Sequence, residues 1–451
     1  MSLQQRRLLF YSFILLFLMI APFAILYATG RTINWKQFEI QKTGSMIIET
    51  EPANADIFLN SKRPILFFNQ IFQRNSVPKT NTRLTNLAPA TYQLRLELWG
   101  YIPWERKTVV KANEVTNIGP IRLFKDSMPE LHYSLDQQNF LTSPDGRTVL
   151  MITQTTVTVF QVPENKEVKL TLNLPTNPSI FWSENQDNFI LNDTYIINRQ
   201  GEIIENLATS LAFPPSFVRW GNDRSDEIYF IEKNQLYRFI FTNNKSEEVI
   251  DINALLKTGD LYDYKVDNNH VHFALKKKSG AEIAVLYLNS PRQATAPLPE
   301  GTYRFISDAK NKILLLETKK KDLYLLEQPL PLFFSPRVTM VAKNYTVGWW
   351  DKNKVLYATP FEIREWNDNQ EKLISRFGEV IIGLGQLKKN NEVLFATKDN
   401  IQIIETGGEL FNQTVNLLSE VEISKLLLVN ENDLYFIGNY DNTYGIYKLD
   451  F

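Results

Sequence analysis

"NFLTSPDGRTVLMITQTTVTVFQV", Asn139 to Val162, reads as an apolar strand, a tight turn, a second strand, a polar turn and a third strand. Ser143-Pro144-Asp145-Gly146 is the first turn, since Asp and Gly permit a sharp reversal between two strands. The same unit recurs to the end of the chain. Its further copies are "IFWSENQDNFILNDTYIIN" from Ile180, "FVRWGNDRSDEIYFIEKNQLYRFIF" from Phe217 and "YDYKVDNNHVHFALKKKSGAEIAVLYL" from Tyr262. Then come "YRFISDAKNKILLLETKKKDLYLLE" from Tyr303 and "YTVGWWDKNKVLYATPFEIREW" from Tyr345. The last two are "IGLGQLKKNNEVLFATKDNIQIIE" from Ile382 and "SKLLLVNENDLYFIGNYDNTYGIYKL" from Ser424. Their starts lie roughly 36 to 45 residues apart, the period of a four-stranded propeller blade. Helical periodicity is nearly absent, with "EVIDINALLKTG", Glu248 to Gly259, the main exception.

The first three copies carry a sharper likeness. "SPDGRTVLMI" at Ser143–Ile152, "WSENQDNFIL" at Trp182–Leu191 and "WGNDRSDEIYFI" at Trp220–Ile231 resemble the repeats of TolB-type and WD-like β-propellers, whose pattern is aromatic-Ser-Pro-Asp-Gly-x-x-hydrophobic. Only the first copy keeps Ser143, Pro144, Asp145 and Gly146 intact. The resemblance implies an architecture, with the aromatic before each turn wedged between neighbouring blades and the apolar strand after it in the blade centre. Residues 130–451 are therefore expected to form a β-propeller of about eight four-stranded blades, seven being the next count. Ring closure is expected where "ELHYSL", Glu130–Leu135, meets "YGIYKLDF", Tyr444–Phe451.

At the other end, MSLQQRR (1–7) forms a polar head, and Leu8–Ala28 is an uncharged run. About 21 residues at 1.5 Å each give roughly 31 Å, the thickness of a bilayer core. A cleaved signal peptide is the competing reading. Ala28 and Gly30 make a small-x-small pair, but the apolar run exceeds the usual ~7–15 residues. Residues 8–28 are thus expected to be a retained transmembrane signal anchor, with the lipid bilayer as partner. Charges flank both sides, so the positive-inside bias is weak. The short head and long tail favour a single-pass protein of the cytoplasmic membrane with its bulk extracytoplasmic. Residues 29–43 read as a short polar tether.

Between tether and propeller, Gly44 to Phe124 is strand-rich. "GSMIIETEPANADIFLN" reads as strand, turn, strand, with Pro52 marking the turn because proline cannot sit in a central ladder. In "NLAPATYQLRLELWGYIPWERKTVVK", Asn86 to Lys111, Tyr92, Leu94, Leu96 and Leu98 alternate with Gln93, Arg95 and Glu97, as in a half-buried strand. "RKTVVK" and "IGPIRLF" follow. Four or five short antiparallel strands are expected to make a small β-sandwich. The segment resembles a PEGA domain. It has Pro52 and Ala55 of the Pro-Glu-Gly-Ala turn, with Ala53 and Asn54 in place of Glu and Gly. Leu87, Pro89, Tyr92, Gly100 and Tyr101 stand at the spacing of the later family pattern, with Ala90 in place of its glycine. Gly100 is expected to let the chain turn, and Trp99 and Tyr101 to cap the core. Ser61–Thr80 is longer than the usual connection. Its Ile65, Leu66, Phe67, Phe68, Ile71 and Phe72 read either as a short helix covering an open end or as an exposed apolar lip.

The chemistry of the chain is constrained by what composition allows. Its 451 residues carry a net charge of −1, so no global field attracts nucleic acid. With no cysteine, disulfides, thiolate metal sites and cysteine nucleophiles are excluded. There is no G-x-S-x-G elbow, P-loop or dinucleotide fingerprint. Of the three histidines, His132, His270 and His272, the last two share one side of a strand at i, i+2. Without a third ligand at suitable spacing they read as exposed strand residues, not a metal site. The Asp-rich turns fall where every blade needs a turn, and the Lys276–Lys278 and Lys319–Lys321 runs read as solvated hairpin tips. No catalytic, cofactor or metal residues are assigned and no cofactor is expected. The PEGA likeness implies a bacterial cell-envelope setting. The function expected is non-catalytic binding or scaffolding, with a protein or glycan partner at the propeller rim. The alternative is an envelope enzyme, a glycan- or peptide-acting hydrolase or lyase, with its site at the propeller mouth.

Overall fold

The computed structural model describes residues 3–34, 39–64, 78–135, 140–211, 213–221, 226–267, 270–288, 293–306, 313–327, 336–350, 354–367, 370–387, 392–405, 413–430 and 433–451. The apolar stretch Ile65–Phe72 lies outside these residues. The chain divides into two compact units, Met1–Ser127 with Phe451, and Met128–Asp450.

The first unit begins with helix α1, Leu3–Ala28, which contains Pro22. Within it Gln4–Leu26 has a hydropathy of 2.5, long and apolar enough to cross a membrane. The large apolar side chains from Leu8 to Ile20 are exposed. The helix ends at Thr29, whose hydroxyl donates back to the Ile25 carbonyl at 2.8 Å. Gly30 then turns the chain with φ +66°. Within the 29–43 tether the described residues form a strand pair. β1 (Arg31–Asn34) and β2 (Glu39–Lys42) pair antiparallel, with Ile33 opposite Ile40. Thr43 closes this hairpin, its backbone N–H and its hydroxyl donating to the Gly30 carbonyl at 2.9 and 2.8 Å. Two four-residue strands with a single apolar pair look like a linker in sequence, which is why the hairpin was missed.

The sandwich follows at once. Its strands are β3 (Gly44–Glu51), β4 (Asp56–Leu59), β5 (Thr82–Leu87), β6 (Ala90–Glu97), β7 (Trp104–Val110) and β8 (Val115–Arg122). They form two three-stranded sheets, β5–β3–β8 and β4–β6–β7. The sequence reading is corrected on two counts: β5 is a sixth strand, and β3 pairs with β8 in parallel. A short polar strand such as "TRLTNL" carries too little apolar pattern to be distinguished from a loop. The alternation read along β6 does build the core. Leu94 and Leu96 are buried with Met46, Ile48, Ile57, Leu84 and Trp104, and Tyr92 and Leu98 pack at the margin. On the outer face Arg95 bonds Glu97 and Glu105, each at 2.5 Å.

The second unit is an eight-bladed β-propeller. Its eight four-stranded antiparallel sheets are seven sequential meanders and one composite. Their first strands are Phe140–Thr142, Ile180–Trp182, Ser216–Trp220, Asp260–Asp267, Tyr303–Ile306, Val347–Trp350, Gly383–Leu387 and Glu422–Val429. The last sheet takes its fourth strand from the start of the unit. β9 (Glu130–Ser134) pairs antiparallel with Thr443–Asp450, Tyr133 opposite Ile446. This is the closure expected from the sequence.

Strand periodicity explains how the blades stack. Successive side chains point to opposite faces, and here both faces are covered, so the central strands are apolar throughout. In Ile313–Glu317 of blade five, Leu315 packs with Ile283 of blade four, whereas Leu314 packs with Val355 and Tyr357 of blade six. In blade three, Tyr229 and Ile231 face blade four while Ile228 and Phe230 face blade two. The final interface joins Val149 and Phe160 of blade one to Ile437 and Ile446 of blade eight, which closes the ring. Trp182 and Trp220 are wedged between blades, as their place before the turn implies. Of the helical stretch read at Glu248–Gly259, only Asn253–Leu256 is helical; Lys245–Asp251 is a strand.

Candidate functional site

The PEGA-pattern residues fall at the two ends of the sandwich. At one end, the Thr50 hydroxyl donates to the Pro52 carbonyl at 2.7 Å, and the Ala55 N–H donates to the Thr80 hydroxyl at 3.0 Å. Gly100 and Tyr101 lie at this same end. Gly100 has φ +79°, a conformation that side chains resist, and its carbonyl accepts from Asp126. Tyr101 packs on the core, but Trp99 is 97% exposed, which corrects the expectation that it caps. The turn closed by the Tyr101 N–H on the Leu98 carbonyl sends one ring inward and the other out. At the opposite end, the Tyr92 hydroxyl donates to the Ala88 carbonyl at 2.8 Å, across the turn that holds Pro89. Burial pushes the Tyr92 phenol up from its ordinary value.

Ser143 and Asp145 build the propeller turn. The Ser143 hydroxyl donates to the Asp145 carboxylate at 2.6 Å and accepts from the Thr148 N–H at 2.9 Å. Gly146 takes φ +69° there, and Pro144 lies between the two polar residues. Asp145 also reaches blade two, where Arg199 donates to it at 2.8 Å and the Gln186 side chain accepts from its N–H at 2.7 Å. The second copy, degenerate in sequence, rebuilds the same turn. Ser183 donates to Asn185 at 2.7 Å, and Gln186 replaces the glycine with φ +62°.

A buried ion pair on the first strands escaped the sequence reading. Arg219 of blade three donates twice to Asp263 of blade four, at 2.9 and 2.6 Å. The other Asp263 oxygen accepts from the Phe305 N–H of blade five at 2.9 Å. Arg219 also lies 3.6 Å from the centre of the Phe181 ring of blade two. One charge pair thus ties four consecutive blades. Asp193 stands nearby, pushed up by burial although Arg219 draws it down. The sequence signal was a lone Asp inside the apolar "LYDYKV", a polar residue where the pattern calls for core.

The histidine reading is corrected. His270 and His272 do share a side, but His272 is only 1% exposed. That side faces blade five, where a cavity of about 10 Å³ is bounded by His270, Tyr287 and Glu327. Among the described residues no group of three or more His, Asp or Glu is placed to hold a metal. Burial pushes the His272 imidazole down to about 3, and His270 and Lys265 add to the effect. Folded His272 is therefore neutral where the unfolded side chain, at about 6.5, is protonated. Its contribution to stability is complete above roughly pH 6.5 and is lost as pH falls toward 3. At pH 5 the loss is about 2 kcal/mol. Urea midpoints between pH 7 and 5 should show it, and His272→Leu should flatten that slope. An unchanged slope in this variant contradicts the assignment.

A groove of about 520 Å³ lies between blades five and six. Met340 and Val341 from blade five line one side, and Phe361, Glu362, Arg364 and Glu371 from blade six the other. Both carboxylates are engaged. Arg364 donates to Glu362 at 2.7 Å and pairs with Glu371 at 2.9 Å. Arg376 adds a second bond to Glu362 at 2.6 Å. The Arg364 bond, aided by Arg376, holds Glu362 below the usual carboxylate range. Tyr357 spans the interface, its one hydroxyl proton shared between the Val341 carbonyl at 3.0 Å and the Glu371 carboxylate. Burial, then Glu371, pushes its phenol well up.

Fold and sites define a chain with a PEGA domain and a β-propeller. Residues 71–122 match the PEGA domain family. No curated protein is similar to the chain in sequence. Among solved structures it is similar to a eukaryotic initiation factor, at 11% identity over 73% of this chain and 93% of that one, with a TM-score of 0.43. It is also similar to AztD from Citrobacter koseri, at 12% identity over 67% and 91%, with a TM-score of 0.43. Kluyveromyces lactis Hsv2 is similar at 9% identity over 69% and 97%, with a TM-score of 0.35. The blade count and ring closure given above rest on this chain's own strand pairing.

Proposed function

We propose that this is a single-pass cell-envelope protein whose propeller binds a protein or glycan partner on the extracytoplasmic side, without chemical turnover. The observation that carries the reading is the state of the groove between blades five and six. A glycosidase-type pair needs one carboxylic acid kept protonated and one free carboxylate. Glu362 is instead held ionised, and Arg364 bridges it to Glu371. Such a cluster keeps its charge and shape while a ligand arrives, which suits recognition. The exposed apolar helix α1, joined to the sandwich through the hairpin closed at Gly30 and Thr43, supports an anchor that holds the sandwich close to the bilayer.

The test pairs binding with turnover on the full chain in detergent. Native envelope glycans and solubilised envelope proteins are offered to it, and both retention and product formation are measured. Saturable retention with ligands recovered unchanged is the expected result. Cleavage of a glycan or peptide, abolished by Glu362→Gln or Glu371→Gln, would favour an enzyme.

A further inference from the structure

In each four-stranded meander, the turn between the second and third strands opens on the same side as the link to the next blade. Seven of these eight turns are polar, for example Asn192–Thr194, Lys233-Asn234 and Asp441-Asn442. Blade six is the exception. Its turn is Thr359-Pro360-Phe361, and Phe361 is 50% exposed at the mouth of the 520 Å³ groove. Met340 faces it across the groove and is 44% exposed. Two exposed apolar side chains facing one groove with a polar rim make a small patch of the kind a partner covers.

Charge gives the contact a sign. The blade-five turn on this side holds Lys319, Lys320 and Lys321, all exposed. It adjoins the groove, because the Tyr345 N–H donates to the Lys321 carbonyl at 2.7 Å, next to exposed Lys343 on the rim. The carboxylates of the groove do not cancel these lysines, since Arg364 and Arg376 already neutralise them.

We infer that the groove between blades five and six docks an acidic polypeptide segment of a partner, with one aromatic or aliphatic side chain inserted beside Phe361 and Met340. The inference rests on the binding role proposed above and names the class of partner. The volume falls within the roughly 300–1,000 Å³ of ordinary ligand sites, enough for a few side chains. Methionine adapts its shape to an entering side chain. A concave slot with a basic rim suits an extended segment better than a planar lipid surface. A glycan would call for a wider aromatic platform.

The test uses the full chain in detergent and fluorescence anisotropy with short labelled peptides. One is rich in Asp and Glu around a single Trp, a second has those acids replaced by Lys, and a third has the Trp replaced by Ser. The first should bind at least about tenfold more tightly than either control, with an affinity that falls as salt rises. Phe361→Ser and the pair Lys319→Glu, Lys321→Glu should each weaken it about tenfold. Phe361 and both lysines are exposed, so melting temperatures should stay unchanged. Equal binding of the three peptides, or no effect of Phe361→Ser, overturns the inference, as does competition by phosphatidylglycerol vesicles stronger than by the acidic peptide. If the chain still retains a protein or glycan after such a result, binding occurs elsewhere and the broader role stands. If it retains nothing, both fail.

Discussion

Truncation after Tyr444 is expected to abolish the cooperative unfolding transition of the propeller. The deleted segment supplies the strand that β9 pairs with, from Gly445 opposite Ser134 to Lys448 opposite Glu130. Without it, β9 has no sheet, and Asp433–Tyr440 becomes an unpaired edge inside the ring. Ile446, Tyr447 and Leu449 are buried there. At roughly 1.5–3 kcal/mol per buried side chain, three of them remove about 5–9 kcal/mol, a large part of the ~5–15 kcal/mol that holds a domain together. A milder variant reads the same contact. A Cβ at Gly445 would meet the Tyr133 carbonyl oxygen at 2.5 Å, so Gly445→Val should push β9 away and lower the melting temperature. Calorimetry decides the matter. A truncated chain that melts as sharply and as high as the intact one would show that the ring is not closed by these strands.

Asp263→Leu should cost about 3–5 kcal/mol, the usual penalty for stranding one partner of a buried ion pair. Arg219 and Asp263 are 14% and 6% exposed in their side chains, so neither is well hydrated once alone. The Phe305 N–H loses its acceptor as well. The double variant Arg219→Met, Asp263→Leu should recover much of the loss, because removing both charges also removes the desolvation penalty. Urea midpoints for the wild type, both single variants and the double variant give the coupling directly. A single-variant loss below about 1 kcal/mol would mean that the pair does not bind the blades together.

How much could be read beforehand follows from which signals are local. Blade number was legible because each blade repeats apolar strands and Asp, Asn or Gly turns within about 40 residues. Closure was legible because the segments at both ends of the unit were apolar and lacked a sequential partner. The Arg219–Asp263 pair was not, since its members lie 44 residues apart in different sheets. Period two placed His270 and His272 on one side but could not tell that this side meets blade five. The second blade turn looked degenerate because Asn185 and Gln186 replace Asp145 and Gly146, although Asn185 accepts from Ser183 as Asp145 does from Ser143. The groove left one trace, a Pro-Phe pair in a turn whose counterparts are polar. Its ion cluster brings Glu362 and Arg364 from one strand together with Glu371 from the next, and the alternation of "FEIREW" reads as an ordinary half-buried strand.

The proposed placement at the envelope surface has a direct measurement. Intact spheroplasts expressing the full chain are treated with protease, and the surviving fragment is identified by mass. An anchored chain with its bulk extracytoplasmic should lose the residues beyond Arg31 and keep only a fragment containing α1. A chain that stays full length in intact spheroplasts, yet is digested once they are lysed, would contradict that placement.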